Sequence, residues 1–195
     1  MQRNKLLAIC IIALTVVVML IILSGTATAD EEITITPSAQ PSPESEIVHE
    51  LTEEERMQIS IDLIKTNLKQ TDIDMLARLI YGEARGITSD MEKAAVVWCV
   101  LNRAENWDKT IEEIVKAPNQ FHGYWAGKIT EEFQELAEDV LIRWELEKIG
   151  YEDVGRVLPK EYMFFFGDGK HNHFQTAYQS KQYWDWSLPD PYVEK

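Results

Sequence analysis

The chain has 195 residues, 45% of them hydrophobic, with six tryptophans. That is enough for one ordinary domain with a real core, and too apolar for a wholly disordered chain. It carries 33 acidic against 19 basic residues, a formal charge of −14; with no basic stripe to neutralise phosphates, nucleic acid is excluded as a partner.

Residues 1–29 read as a targeting segment. Arg3 and Lys5 precede an uncharged apolar run from Leu6 to Leu23. At ~1.5 Å per residue this nearly spans a bilayer core. The run is long for a signal-peptide core and slightly short for a transmembrane helix, while Ala27-Thr28-Ala29 fits a small-residue cleavage site. A cleaved signal and an uncleaved membrane anchor both stay open. Either exports everything that follows into the cell envelope or beyond. Cys10 lies early in the run rather than after it, which excludes a lipoprotein. Cys99 is then the only exported cysteine, so no internal disulfide is expected. Its setting, AAVVWCV, reads as a buried structural thiol.

Residues 30–50, DEEITITPSAQPSPESEIVHE, are rich in Pro, Ser and Glu and read as a disordered spacer. The folded domain is expected over 51–195. Thr52 and Glu55 form a capping-box pattern before a helix to about Leu68. The same spacing recurs at Thr71 and Asp74 before Met75 to Arg85, and at Ser89 and Glu92 before a helix to about Asn106. Thr110 and Glu113 open a short helix that Pro118 follows. Thr130 opens a long one, on which Phe133, Leu136, Val140, Leu141 and Trp144 share a face. Then EYMFFFGDGKHNHFQ, aromatic and broken by Gly167-Asp168-Gly169, signals a β-hairpin. Tyr162, Phe164 and Phe166 are expected on one side of its first strand, Met163 and Phe165 on the other. The fold class predicted is mainly α with a small β-hairpin.

Within LARLIYGEARG, residues 76–86, Glu83 occupies an apolar position. At about 100° per residue, Leu76 and Glu83 lie within about 20° of each other on a helix, so Glu83 points where the core points. Gly86 reads as the helix stop. A carboxylate that faces inward near a helix end can open into a cleft while its flanks stay apolar, which raises its pKa and suits a general acid. The bland alternative is a structural salt bridge from Glu83 to Arg85 or Arg103.

DMLARLIYGEARG, then AAVVWCVLNRAEN, then TIEEIVKAPNQF, resembles the SleB/CwlJ family of cell wall hydrolases, which includes spore cortex-lytic enzymes. The similarity is clear over about Ile73 to Phe121 and weaker to about Phe174. It implies a fold similar to lysozyme and lytic transglycosylases, with Glu83, the glutamate of an E-x-R-G motif, as catalytic acid. Ile87 stands where the family often has an acidic residue, and the late aromatic and His-x-Phe motifs are compressed, so His171 or His173 matches the motif's histidine. By this resemblance Asn102 and Arg103 fall near the cleft, their bland alternative being a helix-end network. Gln120 and Phe121 suit an N-acetyl sugar, one bonding and one stacking, against a core Phe beside an exposed Gln. Tyr162 and His173 complete the predicted substrate contacts. Trp125, Trp184 and Trp186 are further stacking candidates, although tryptophans more often fill cores. His122, His171 and His173 invite a zinc reading, but no closed ligand set is evident, so no metal and no cofactor are expected.

The resemblance thus implies peptidoglycan glycan strands as substrate. An ordinary glycosidase needs two carboxylates flanking the bond, and the sequence offers one strong candidate. A single acid/base suffices in a lytic transglycosylase, where the muramic acid 6-hydroxyl attacks its own C1. The alternatives are a hydrolytic glycosidase, an N-acetylmuramoyl-L-alanine amidase, and a membrane-tethered peptidoglycan-binding module without activity.

Overall fold

In the computed structural model, residues 50–193 are described; the expected targeting segment and nearly all of the expected spacer lie outside them. Helix α1 (Glu53–Asn67) opens on the reciprocal cap expected from Thr52 and Glu55. The Glu55 N–H donates to the Thr52 hydroxyl at 3.2 Å, and the Thr52 N–H to the Glu55 carboxylate at 2.8 Å. Helix α2 (Gln70–Ala84) starts earlier than its sequence suggests, with Lys69 at the cap position and no side-chain cap. Only Leu68 and Lys69 separate it from α1, so Thr71 is already helical and cannot cap. Asp74 instead accepts from Gln70 and from Gln134, each at 2.8 Å. The helix ends at Ala84, where the Ile87 N–H closes a turn onto the Ala84 carbonyl.

Helix α3 (Asp90–Asn106) is the centre of the molecule, with residues 91–104 buried without a break. Ser89 caps it by accepting from the Glu92 N–H at 3.2 Å. The other half of the expected box is missing, because the Glu92 carboxylate turns away toward the hairpin. Helix α4 (Ile111–Val115) carries a complete Thr110–Glu113 box. A 3₁₀ turn (His122–Ala126) follows, then α5 (Glu131–Lys148), capped by Thr130. On α5 the expected stripe of Phe133, Leu136, Val140 and Leu141 is buried, and Trp144 donates its indole N–H to Glu105 at 2.7 Å.

Strands β1 (Phe164–Gly167) and β2 (Asn172–Gln175) form an antiparallel hairpin in which Phe165 pairs with Phe174 and Phe166 with His173. The strand begins two residues after Tyr162, so the expected alternation holds only from Phe164 onward. Phe165 turns to the core against Phe174 at 5.4 Å between ring centres. Phe166 turns outward and stacks on His173 at 5.0 Å.

Helix α2 packs on α5, on α3 and on the 3₁₀ turn. Leu76, Leu79 and Ile80 of α2 meet a core that includes Val97 and Trp98 of α3 and Val140 of α5, all fully buried. Each such side chain contributes about 1.5–3 kcal/mol by leaving water. The described residues are therefore mainly helical with one two-stranded antiparallel hairpin, as the sequence predicts. Among the described residues no helix is long and apolar enough to cross a membrane.

Candidate active site

Glu83 sits one residue before the end of α2, in line with the buried Leu76 and Leu79, and is half-buried. Its Oε1 accepts the Gly123 N–H at 2.8 Å. That bond depends on two facing glycines. A Cβ on Gly82 would lie 2.2 Å from the carbonyl group of Gly123, and one on Gly123 would lie 2.4 Å from the Gly82 oxygen and 2.9 Å from Glu83 Oε1. Only bare backbone lets the 3₁₀ turn lie this close to α2 and aim an N–H at the carboxylate.

Neither arginine of the salt-bridge alternative reaches Glu83. Arg85 lies over the Tyr81 ring and donates to the Tyr81 carbonyl at 3.3 Å. Arg103 donates to the Met163 carbonyl and, at 2.9 Å, to Gln120. Among the described residues Glu83 forms no ion pair. Removal from water therefore dominates and pushes its carboxyl above the ordinary glutamate range, although the Gly123 N–H and nearby His122 pull the other way.

Glu83 lines a groove of about 250 Å³ with two walls. Residues 82–87, at the end of α2, form one; residues 167 and 169–172 of the hairpin form the other. The hairpin wall is held by Asp168, whose carboxylate accepts the N–H groups of Lys170 and His171, each at 2.8 Å. A hydrogen bond from His173 at 2.8 Å, with these two, holds the Asp168 carboxyl well below its usual range. Behind that wall stands Glu92, only 5% exposed. It accepts the Asn172 N–H and lies 3.2 Å from His171 Nδ1. The Asn172 side chain in turn donates to the Glu83 carbonyl at 3.5 Å.

The other predicted contacts do not gather in this groove. Asn102 is 2% exposed, and its amide donates to the carbonyls of Pro159 at 2.8 Å and Tyr162 at 2.9 Å while accepting from Arg156 at 2.8 Å. With every polar atom engaged inside the fold, it anchors the 159–162 turn rather than a sugar; the helix-end network is the reading its geometry supports. Arg103, 4% exposed, ties the loop at Gln120 to the hairpin and lies over the rings of Phe121, Phe164 and Trp107. Phe121 is 4% exposed and packs on Phe165 at 6.0 Å, so it is a core side chain and has no face to offer a sugar. Gln120 is exposed. It lines, with Arg103, Phe164, Phe166 and Tyr183, a different hollow of about 760 Å³. Tyr162 is half-buried against Trp184 at 5.4 Å. His173 lies on the outer face of the hairpin between Phe166 and Tyr183. Trp125, 69% exposed, stands on the 3₁₀ turn two residues after Gly123.

His171 and His173, which invited a zinc reading, turn to different partners, one to Glu92 and the other to Asp168. Among the described residues no group of three or more His, Cys, Asp or Glu is placed to hold a metal. Cys99 is fully buried, and burial pushes its thiol up to about 12, which leaves it inert as a nucleophile. Another hollow, about 750 Å³, contains none of the predicted site residues; the Glu147 and Arg156 that line it are paired at 2.6 Å.

Sequence reasoning missed Gly82, Gly123, Glu92 and Asn172. Glu92 entered the sequence reading only through the Ser89 capping pattern, and its place in a charged first turn beside Asp90 and Lys93 gave no further signal. Comparison with family models, curated proteins and solved structures finds no match.

Proposed function

We propose that the chain is an exported peptidoglycan-cleaving enzyme of the SleB/CwlJ type with a lysozyme-like domain, acting on the bond between N-acetylmuramic acid and N-acetylglucosamine as a lytic transglycosylase. It works in the cell envelope, anchored or released according to the fate of residues 1–29, and needs no cofactor. The observation that carries this reading is Glu83: a half-buried carboxyl, in no ion pair among the described residues, on the apolar line of a helix, lining a groove, with its pKa raised by burial. Such a group holds its proton closer to neutral pH and can deliver it to a glycosidic oxygen. The ordered motifs around Glu83 supply the substrate class.

In this mechanism Glu83 protonates the leaving oxygen as the bond from C1 breaks. The muramic acid 6-hydroxyl then attacks C1 and loses its own proton, giving a 1,6-anhydro end without consuming water. In the simplest account that second proton returns to Glu83.

Product masses from a digest of purified peptidoglycan test the proposal. Anhydro ends are the expected result. Reducing ends would make the enzyme a hydrolase, free stem peptides an amidase, and an undigested wall a binding module.

A further inference from the structure

The mechanism above does not use the hollow of about 760 Å³ beside the hairpin. We propose that it is a docking subsite for the stem peptide of peptidoglycan, in which Lys181 receives a peptide carboxylate and the rings of Phe166, Tyr178 and Tyr183 cover aliphatic side chains. This rests on the peptidoglycan reading of Glu83 and adds that the enzyme holds the peptide as well as the glycan strand.

The first support is charge. The chain has 33 acidic residues against 19 basic, yet no residue lining the hollow is acidic, and its two charged residues, Arg103 and Lys181, are both basic. Arg103 is 4% exposed, and buried charges are ordinarily paired. Its partners are the Met163 carbonyl, the Gln120 amide oxygen, the Cys99 thiol and three aromatic rings, none of them an anion. Among the described residues neither Arg103 nor Lys181 forms an ion pair. Lys181 is exposed and open to an incoming anion. The sugars of the strand are neutral, and the muramic lactyl carboxyl is tied up in the amide to the stem. The free carboxylates of the polymer are on the peptide.

The second support is the wall itself. Phe166 is 45% exposed, Tyr183 47% and Tyr178 76%, so three large rings of one hollow face water. Apolar walls with a few polar groups are the usual make-up of a ligand pocket of this size. Two lining residues, Asn119 and Gln179, hold left-handed backbone, at φ 60° and 59°; such conformations are uncommon for glutamine and collect at binding sites. The third support is position. Phe164, Phe165 and Phe166 line the hollow, and the next residue, Gly167, lines the Glu83 groove. An extended peptide covers about 3.3 Å per residue. The stem of a muramic acid held in the groove therefore needs only its first few residues to enter a space that begins one residue along the strand.

The test measures kcat and KM of the full-length chain, of Lys181→Glu and of Tyr178→Ala on three soluble substrates. These are glycan strands bearing stem peptides, the same strands with the stem carboxylates converted to amides, and strands stripped of their stems by an amidase, which frees the lactyl carboxylate instead. For the parent, KM is expected to rise about 10-fold on the amide-capped and the stripped strands with kcat unchanged, the order for losing a hydrogen bond to a charged group. Lys181→Glu should show that higher KM on all three. Tyr178→Ala should bind the peptide-bearing and capped strands more weakly than the parent and the stripped strands equally well. The parent's own ranking of the substrates decides the matter should either variant fail to fold. The proposal is overturned if the parent cleaves capped or stripped strands with the KM of peptide-bearing ones, or if Lys181→Glu keeps the parent's preference; the reading of Glu83 survives both results. If the parent releases no glycan product from any of the three, or Glu83→Gln stays active, the reading of Glu83 falls and the stem subsite falls with it.

Discussion

Glu83 and Glu147 are both half-buried carboxylates near the C-terminal ends of helices, α2 and α5, yet their proton affinities move in opposite directions. Burial pushes both upward. At Glu147 that push is overruled by Arg156, at 2.6 Å, and Lys160, at 3.3 Å, so its carboxyl ends below the ordinary range. At Glu83 a single backbone N–H and a nearby histidine do not overrule it. The same residue type in a similar position is thus a strut in one place and, in the function proposed above, a proton donor in the other, and the difference lies in its partners.

The sharpest way to break this comparison is to remove each charge while keeping its shape. Glu83→Gln is expected to fold normally and lose nearly all wall-digesting activity; retention of more than about a tenth of the rate would sink the acid role, since removing a general acid typically costs at least 10²-fold. Glu147→Gln should leave the pH–rate profile unchanged but lower stability by about 1–3 kcal/mol at pH 7, because Arg156 loses its charged partner. Urea melts read this directly.

The pH dependence sharpens the contrast, because the two signs are opposite. A raised folded-state pKa costs nothing where Glu83 is protonated in both states, and destabilises the fold increasingly above the unfolded value of 4.5 until the folded pKa is passed. Glu83→Gln should therefore match or exceed the parent in thermal melts at pH 8 and show no gain near pH 4. A depressed folded-state pKa stabilises above the unfolded value, and that contribution is lost as pH falls through the folded one. The deficit of Glu147→Gln should accordingly be full at neutral pH and shrink in acid. Parallel curves for the two variants would dissolve the distinction.

Between these lies Gly123→Ala. Its methyl would meet the Gly82 carbonyl and Glu83 Oε1, so the 3₁₀ turn must retreat and the N–H bond to Glu83 lengthen. That bond lowers the Glu83 pKa, so the alkaline limb of the rate profile should move upward, with a rate loss of about 10-fold or more from displaced geometry. An unmoved limb would mean that the bond does not tune the acid. The smallest expected effect is none at all: a chain starting near Leu51 should fold and digest wall like the parent, and a folded but inactive product would give residues 1–50 a role beyond targeting and spacing.

How much of this was legible depended on whether the deciding partner lay nearby in sequence. The caps at Thr52, Ser89, Thr110 and Thr130 involve residues three apart and read directly from the chain. Glu83 was legible because its seven-residue spacing from Leu76 reports a helix face. Thr71 was misread because α1 and α2 are joined by only two residues, which draws it inside the helix. Phe121 and Asn102 were misassigned to substrate because what occupies them, Phe165 in one case and the carbonyls of Pro159 and Tyr162 in the other, lies more than 40 residues away. Glu92 was hidden for the same reason: its partners are 79 and 80 positions downstream.

The meeting of Gly82 and Gly123 also has a consequence in time. The bond it permits spans 40 positions, and the hairpin contact to the Glu83 carbonyl spans 89. In the unfolded chain Glu83 is an ordinary solvated glutamate, ionised at neutral pH and useless as an acid. The burial that raises its pKa exists only once residues distant in sequence have packed around the end of α2. If the chain is the exported wall-cleaving enzyme proposed above, it lacks its acid until these long-range contacts have formed.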